Sequence, residues 1–412
     1  MMQPAATVLD FDQALAKVLQ HATGLPLPPS ESLALLDCGS RVLAEPVLAD
    51  RDQPPFHRST RDGFALRAGD AAGPLKVIGL VRAGEQWQSS TLKPNTAIEI
   101  MTGAPIPEGA DAVVMIEHIE RNQDSIHLLA GRTIRSGENI VPQGSEARVG
   151  QTVLAPGSLI EGAEIALAAS CGYSKLLIFR RPKVAIVATG DELVDLAATP
   201  SPQQIRNSNS YGLAELIRRT GGEPTQLPIA PDRRPDLEQT IRTARQSDLM
   251  LLSGGVSMGK YDLVEEVLQA LGAEFFFTGV RMQPGKPLVF GRLPAENNLP
   301  PQFFFGLPGN PVSTQVTFHC FVEPMLHAMA GGGVQQPRFL QATLAEDVVG
   351  KTGLMRVLPA RLTTDRIRPE VRLVAWQGSG DLAANARANC YAVLPPDKDH
   401  FAAGDVITIL LR

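Results

Sequence analysis

Between Lys183 and Phe321 the chain alternates strand-length apolar runs with helical stripes. Apolar runs at Val184–Ala188, Thr225–Ile229 and Leu249–Leu252 alternate with helices predicted over Ser208–Arg219, Arg234–Arg245 and Leu263–Leu271. Runs at Phe275–Thr278, Leu288–Phe290 and Phe303–Gly306 then lead to a closing helix over Val312–Met329, which begins after Pro311 as a first-turn proline should. Such alternation predicts a parallel, doubly wound sheet with right-handed crossovers. Loops leaving the carboxyl ends of its strands converge on one crevice, where ligands bind. Four such loops carry glycine, acid or proline-asparagine: Thr189-Gly190-Asp191-Glu192, Pro231-Asp232, Ser253-Gly254-Gly255-Val256-Ser257 running on to Asp262, and Leu307-Pro308-Gly309-Asn310-Pro311.

Those residue types suit an anion with a hard cation. Without side chains on Gly254 and Gly255, backbone N–H groups can close around a phosphate. Asp191, Glu192, Asp232 and Asp262 offer oxygens of the kind magnesium takes, one or two carboxylates beside water and substrate phosphate; taken singly, each is better read as a helix cap, and taken together at one sheet edge, as metal ligands. Pro284-Gly285-Lys286-Pro287 holds an ammonium in a stiff turn, and the loop from Leu307 offers amides and the Ser313 hydroxyl to an oxyanion. No Gly-x-x-x-x-Gly-Lys-Ser/Thr loop occurs, and no Gly-x-Gly-x-x-Gly follows a predicted strand, so nucleotide hydrolysis and dinucleotide hydride transfer lose ground.

At 412 residues the chain exceeds one ordinary core. A capping-box spacing from Asp10 to Gln13 opens a helix with Phe11, Leu15, Val18 and Ala22 on one face. A second short helix is predicted over Ser30–Leu36, and another over Glu161–Gly172. Between Asp50 and Gly150 short apolar runs (Leu75–Leu80, Thr96–Met101, Ala112–Ile116) are cut by glycine and proline, an irregular β pattern. Within it Asp62-Gly63 reads as a hairpin turn and Thr102 as a turn residue. Beyond Gly331-Gly332-Gly333, runs at Val371–Ala375, Tyr391–Leu394 and Val406–Leu411 predict a small β barrel or sandwich. The net charge of −5 argues against a nucleic-acid partner. No apolar run spans a bilayer, since Ile165–Phe179 is broken by Ser170, Gly172, Ser174 and Lys175. Cys38, Cys171, Cys320 and Cys390 are too dispersed for a disulfide framework or zinc site, and with no signal peptide at the start a cytoplasmic location is expected.

Seven segments in series resemble the molybdopterin molybdenumtransferase family, bacterial MoeA and the E domain of gephyrin. They are Asp-Gly-Phe-Ala at 62–65, Thr-Gly-Ala-Pro at 102–105, Thr-Gly-Asp-Glu-Leu at 189–193, Ser-Gly-Gly-Val-Ser at 253–257, Pro-Gly-Lys-Pro at 284–287, Leu-Pro-Gly-Asn-Pro-Val-Ser at 307–313 and Gln-Gly-Ser-Gly at 377–380. The resemblance implies a multidomain α/β fold. A helical support domain would cover 1–49 and 150–178, its first helix free to pack on the sheet domain. An irregular β domain would cover 50–149, a doubly wound, mostly parallel sheet domain of molybdopterin-binding type 179–331, and a C-terminal β barrel 334–412.

It further implies a homodimer whose cleft lies between the sheet domain of one subunit and the β domain of the other. The implied reaction is magnesium-dependent insertion of molybdate into adenylylated molybdopterin, with release of AMP. Asp191, Glu192, Asp232 and Asp262 would manage magnesium and the nucleotide end. Gly254, Gly255, Ser257, Pro308, Gly309, Asn310 and Pro311 would bind substrate, and Lys286, Ser313, Lys351, Arg356 and Ser379 would surround the oxyanion. Asp62 and Thr102 would reach in from the other subunit. Molybdopterin adenylyltransferase and molybdoenzyme maturation proteins are the implied partners. Gln283 and Lys351 stand where Lys and Arg are usual, Lys260 where an acid is common, and Arg61 where Met is usual; lysine cannot reproduce a planar two-pronged grip on an oxyanion. The competing readings are a pterin-holding scaffold without turnover and molybdopterin adenylylation itself.

Overall fold

The computed structural model describes residues 7–255, 263–364 and 367–412. Ser257, Lys260 and Asp262 lie outside the described residues.

Helix α1, Phe11–Thr23, opens with the expected capping box between Asp10 and Gln13. Its apolar stripe, extended by Ala14, is buried in one core with the central sheet and its closing helices. The Phe11 and Phe321 rings stand 5.3 Å apart in that core. Burying Phe11, Leu15 and Val18 contributes about 1.5–3 kcal/mol each, so α1 is held by packing on the sheet domain. Ser30–Ala34 is a strand paired antiparallel with Lys175–Phe179, followed by a 3-10 turn over Leu35–Cys38. The helix expected over Ser30–Leu36 is not formed. So short a stripe is marginal alone, and the strand Lys175–Phe179 supplies backbone partners that a helix there would leave unused.

Besides a short antiparallel pair of Arg58–Ser59 with Ile140–Val141, the β region holds β1 Gly63–Leu66, β2 Leu75–Val81, β3 Thr96–Ile100, β4 Ala112–Met115, β5 Ile119–Asn122 and β6 Ser125–Leu128. Strands β1 to β6 form one sheet in the order β4-β1-β3-β2-β6-β5. Asp62-Gly63 is therefore not a hairpin turn. Gly63 opens β1 between β3 and β4, where a Cβ would run into the Val114 carbonyl; the glycine serves close strand approach. Helix α2 covers Gly162–Ser170.

The central unit follows the expected alternation. Its elements are β7 Lys183–Ala188, α3 Ser208–Arg219, β8 Glu223–Gln226, α4 Arg234–Ala244, β9 Leu249–Ser253, α5 Leu263–Ala270, β10 Glu274–Phe277, β11 Met282–Gln283, β12 Val289–Leu293 and β13 Gln302–Leu307. The sheet order is β8-β7-β9-β13-β12-β10, parallel from β8 to β13, with β12 and β10 antiparallel at the edge. Alternate residues serve opposite faces: Ile186, Leu251 and Phe305 join the core of α1 and α3, while Val187, Leu252 and Phe304 join that of α4 and α5. The closing helical run is α6 Pro311–Thr317, a π turn over Phe318–Val322, and α7 Glu323–Met329.

Beyond the linker lie β14 Phe339–Leu344, β15 Met355–Thr364, β16 Pro369–Leu373, α8 Leu382–Arg387, β17 Cys390–Leu394 and β18 Val406–Leu411. The strands run β15-β16-β14-β18-β17, and a further β15–β17 pairing closes a five-stranded barrel. Strand β11 pairs parallel with the start of β15, Gln283 opposite Arg356. Among the described residues no helix is long and apolar enough to cross a membrane.

Candidate active site

Register sets the site. Ala188 pairs with Ser253 and Ser253 with Leu307 in parallel ladders, so the loops after β7, β9 and β13 leave the sheet at one level. A bridge between Thr189 and Ala230 sets Pro231 and Asp232 beside them. The loops enclose a cleft of about 620 Å3, walled by Glu192, Gly254, Gly255, Pro308, Gly309, Asn310 and Pro311, with Pro287 and Gly380 at its edge.

Gly254 has φ +92°, and a Cβ there would sit 2.5 Å from the Thr189 carbonyl oxygen. Only glycine lets the backbone turn at that point. The Thr189 hydroxyl donates to Asp232 Oδ1 at 2.7 Å, and the Asp232 amide donates to Asp191 Oδ1 at 3.1 Å. Neither Asp191 nor Glu192 caps a helix; they occupy a turn. One oxygen of each of Asp191 and Asp232 remains uncommitted among the described residues. Among those residues no group of three or more His, Cys, Asp or Glu side chains is gathered into a metal cage. The donor set fits a magnesium ion that keeps water and substrate phosphate as its other ligands.

Lys286 is exposed and Ser379 lies in a turn, each one residue from a cleft-wall residue, Pro287 and Gly380. Ser313 is 3 % exposed in the first turn of α6. Its neighbour Val312 donates its amide to the Ser379 carbonyl at 3.0 Å, which brings the barrel's loop to the sheet's edge. Arg356 faces Gln283 in register, and Lys351 is exposed in the loop before β15. Burial holds the Arg356 guanidinium below the usual arginine range.

Asp62 and Thr102 are joined to each other instead. Asp62 Oδ1 accepts from the Thr102 amide at 2.6 Å and from its hydroxyl at 2.9 Å. These bonds hold the Asp62 carboxyl below the usual carboxylate range, the amide having the larger effect. Within one chain neither residue lines the cleft.

Two positioning residues escaped the sequence reading. Asn209 lines the cleft and donates from Nδ2 to Ser253 Oγ at 3.0 Å and to the Gly309 carbonyl at 2.7 Å, tying two cleft loops together. Asp381 accepts from the Ala384 amide at 2.9 Å and the Gln377 amide at 3.0 Å, fixing the Ser379 turn. Asn207-Ser208-Asn209 looks like a cap cluster, and Asn207 does cap α3. Nothing local separates Asn209 from it.

Comparison with known proteins agrees along the chain. Residues 9–172 match the MoeA N-terminal region (domain I and II), 185–328 a probable molybdopterin binding domain, and 341–411 the MoeA C-terminal region (domain IV). The molybdopterin molybdenumtransferase of Haemophilus influenzae is 33% identical over 98% of this chain and 98% of its own length. The chain belongs to the molybdopterin molybdenumtransferase family. The Staphylococcus aureus molybdopterin molybdenumtransferase is 32% identical over 97% of this chain and 94% of its own. The crystal structure of the molybdopterin biosynthesis moeA protein from Pyrococcus horikoshii OT3 superposes with TM-score 0.77 and 27% identity, covering 98% of this chain and 100% of that one. Membership in the molybdopterin molybdenumtransferase family makes the protein a transferase of molybdenum cofactor biosynthesis, acting by molybdenum insertion.

Proposed function

We propose that the cleft takes adenylylated molybdopterin and molybdate, inserts the metal into the dithiolene and releases AMP in a magnesium-dependent reaction. The observation that carries this reading is the convergence of Gly254, Gly255, Gly309, Asn310 and Glu192 on one cleft at the carboxyl ends of parallel strands. The exposed amide of Gly255 faces the phosphates, on a turn that the Gly254 amide ties to the Leu307 carbonyl. Asp191, Glu192 and Asp232 hold magnesium, which when bound supplies positive charge to polarise the phosphoanhydride. Lys286, Ser313, Lys351, Arg356 and Ser379 orient the molybdate oxyanion, and an oxygen of molybdate or of water attacks phosphorus as AMP departs. The chain's share is positioning and charge stabilisation; no nucleophilic side chain is needed.

The same reading takes the protein to be a cytoplasmic homodimer. Asp62 and Thr102 then complete the cleft of the other subunit, which accounts for their remoteness from Glu192 within one chain. Molybdopterin adenylyltransferase supplies the substrate, and molybdoenzyme maturation proteins collect the product.

The test supplies purified protein with adenylylated molybdopterin, magnesium and molybdate, and follows AMP. Molybdate-dependent AMP release is expected, abolished in Glu192→Ala with an unchanged melting temperature. Binding without release would favour a carrier, and formation of the adenylylated species from ATP would favour adenylylation.

A further inference from the structure

A second cavity, of about 320 Å3, shares no lining residue with the active cleft. Its walls come from Ser40–Val42, the segment Phe179–Arg181 that enters the sheet domain, the end of α3, the helix α7, and the linker before β14. Five arginines line it, Arg41, Arg180, Arg181, Arg219 and Arg338, against two acids, Glu161 and Glu323. In a chain of net charge −5 this local excess does not follow from composition.

Tracing each partner shows where the excess resides. Arg41, 8 % exposed, binds Glu31 at 2.6 Å and the Phe179 carbonyl at 2.9 Å. Arg180 pairs with Asp248 at 3.1 Å, and Arg338 reaches Glu323 at 3.6 Å. Both wall acids are committed elsewhere: Glu323 also holds His319 Nδ1 at 2.6 Å, and Glu161 caps α2. Arg181 and Arg219 have no ion pair and no side-chain hydrogen bond among the described residues. Burial, and after it repulsion from Arg41, holds the Arg181 guanidinium below the usual arginine range; it remains charged all the same. Glu223 and Glu31 oppose that shift from a distance without pairing with Arg181, so two guanidinium groups stand without an ion pair at the wall of a concavity large enough for a small metabolite.

We propose that this cavity binds a phosphorylated small molecule, gripped by Arg181 and Arg219 with Arg41 behind them. The guanidinium fork matches phosphate oxygens two at a time, and a dianion offsets the two unpaired charges. Because the walls come from the segment at Ser40–Val42, the central unit and the linker to the barrel, an occupant cross-links all three. Binding therefore adds to stability by mass action.

Inorganic pyrophosphate is the probe, titrated into the full-length protein by calorimetry and followed in parallel by thermal denaturation. One equivalent per chain is expected to bind with an affinity that falls as salt rises, and to raise the melting temperature. Arg181→Ala with Arg219→Ala should weaken that equivalent by roughly tenfold or more, without altering AMP release from adenylylated molybdopterin. Arg219→Ala alone, at an exposed position, should weaken it with the unliganded melting temperature unchanged. Lys286→Ala, beside the active cleft, should leave it intact. The proposal is overturned if no saturable binding occurs. It is equally overturned if binding survives the double substitution and is lost in Lys286→Ala, which would assign the anion to the cleft. Failure here leaves the transferase reading standing, because AMP release is read separately.

Discussion

The amide of Val312 and the carbonyl of Ser379 are joined by a 3.0 Å hydrogen bond across the boundary between the central unit and the barrel. Val312 lies in the first turn of α6 beside the buried Ser313, and Ser379 belongs to the turn that Asp381 fixes. The barrel is thereby attached to the cleft's own loop, reinforced by the pairing of Gln283 with Arg356 and by Asn385 donating to Gln315 Oε1 at 2.8 Å. The groups proposed to bind the oxyanion, which come from two units, are thereby held in one frame, as positioning catalysis requires.

Asn209→Ala removes the clasp between the loops at Ser253 and Gly309. Two hydrogen bonds are lost, at about 1 kcal/mol each, near a cleft that depends on loop placement. AMP release should fall by roughly tenfold to a hundredfold in kcat/KM, with a small loss of melting temperature. Asn209→Asp should be worse, since a carboxylate cannot donate to the Gly309 carbonyl and adds negative charge in a cleft proposed to take an anion. Steady-state AMP release by both variants, compared with wild type, checks this.

Gly254→Ala should abolish turnover while the protein still folds. Its Cβ meets the Thr189 carbonyl oxygen at 2.5 Å in a backbone with φ +92°, so the loop must move. The strain costs on the order of 1–3 kcal/mol and falls on the loop proposed to bind phosphate. Circular dichroism unchanged beside lost AMP release is the expected pair of results; full activity would remove this loop from the site.

Gln283 is exposed and in register with Arg356, at the position where the family resemblance leads one to expect lysine. Gln283→Lys should lower the apparent KM for molybdate by about threefold to tenfold at low salt, and the gain should shrink as ionic strength rises. A salt-independent change, or none, would contradict a role for that position in drawing in the oxyanion.

Tyr391 is fully buried, its hydroxyl lacks a hydrogen-bond partner among the described residues, and burial pushes its pKa from 10.0 up to about 12. The unfolded phenol ionises first. Its contribution is therefore complete below pH 10 and lost as pH rises through about 12, up to roughly 2–3 kcal/mol. Tyr391→Phe should change stability at pH 7 by less than about 1 kcal/mol and flatten the alkaline limb. Urea denaturation at pH 8 and at pH 11 measures both.

Legibility followed the range of the forces involved. Helix α3 has the bounds its stripe predicts, Ser208–Arg219, because an asparagine cap and a local period define it. Strands β7 and β9 were legible as apolar runs, being buried on both faces. The segment at Ser30 was misread as helix because its partner strand begins at Lys175, far along the chain. Gly63 was misread as a turn because the Val114 carbonyl that excludes its side chain comes from another strand. Of the cleft, the glycines and acids stood out at their own loops, while Asn209 and Asp381 are distinguished only by what they reach.

What the sequence by itself determined is the alternation of strands and helices, the glycine and carboxylate loops at one end of the sheet, and the ordered motifs that carry the family. Those depend on residues within a few positions of one another. Only the tertiary structure decided that Asp62 and Thr102 bind each other, that the barrel closes and hands Ser379 to Val312, and that five arginines surround a cavity apart from the cleft. Each of those depends on register and packing between distant segments, which local pattern does not encode.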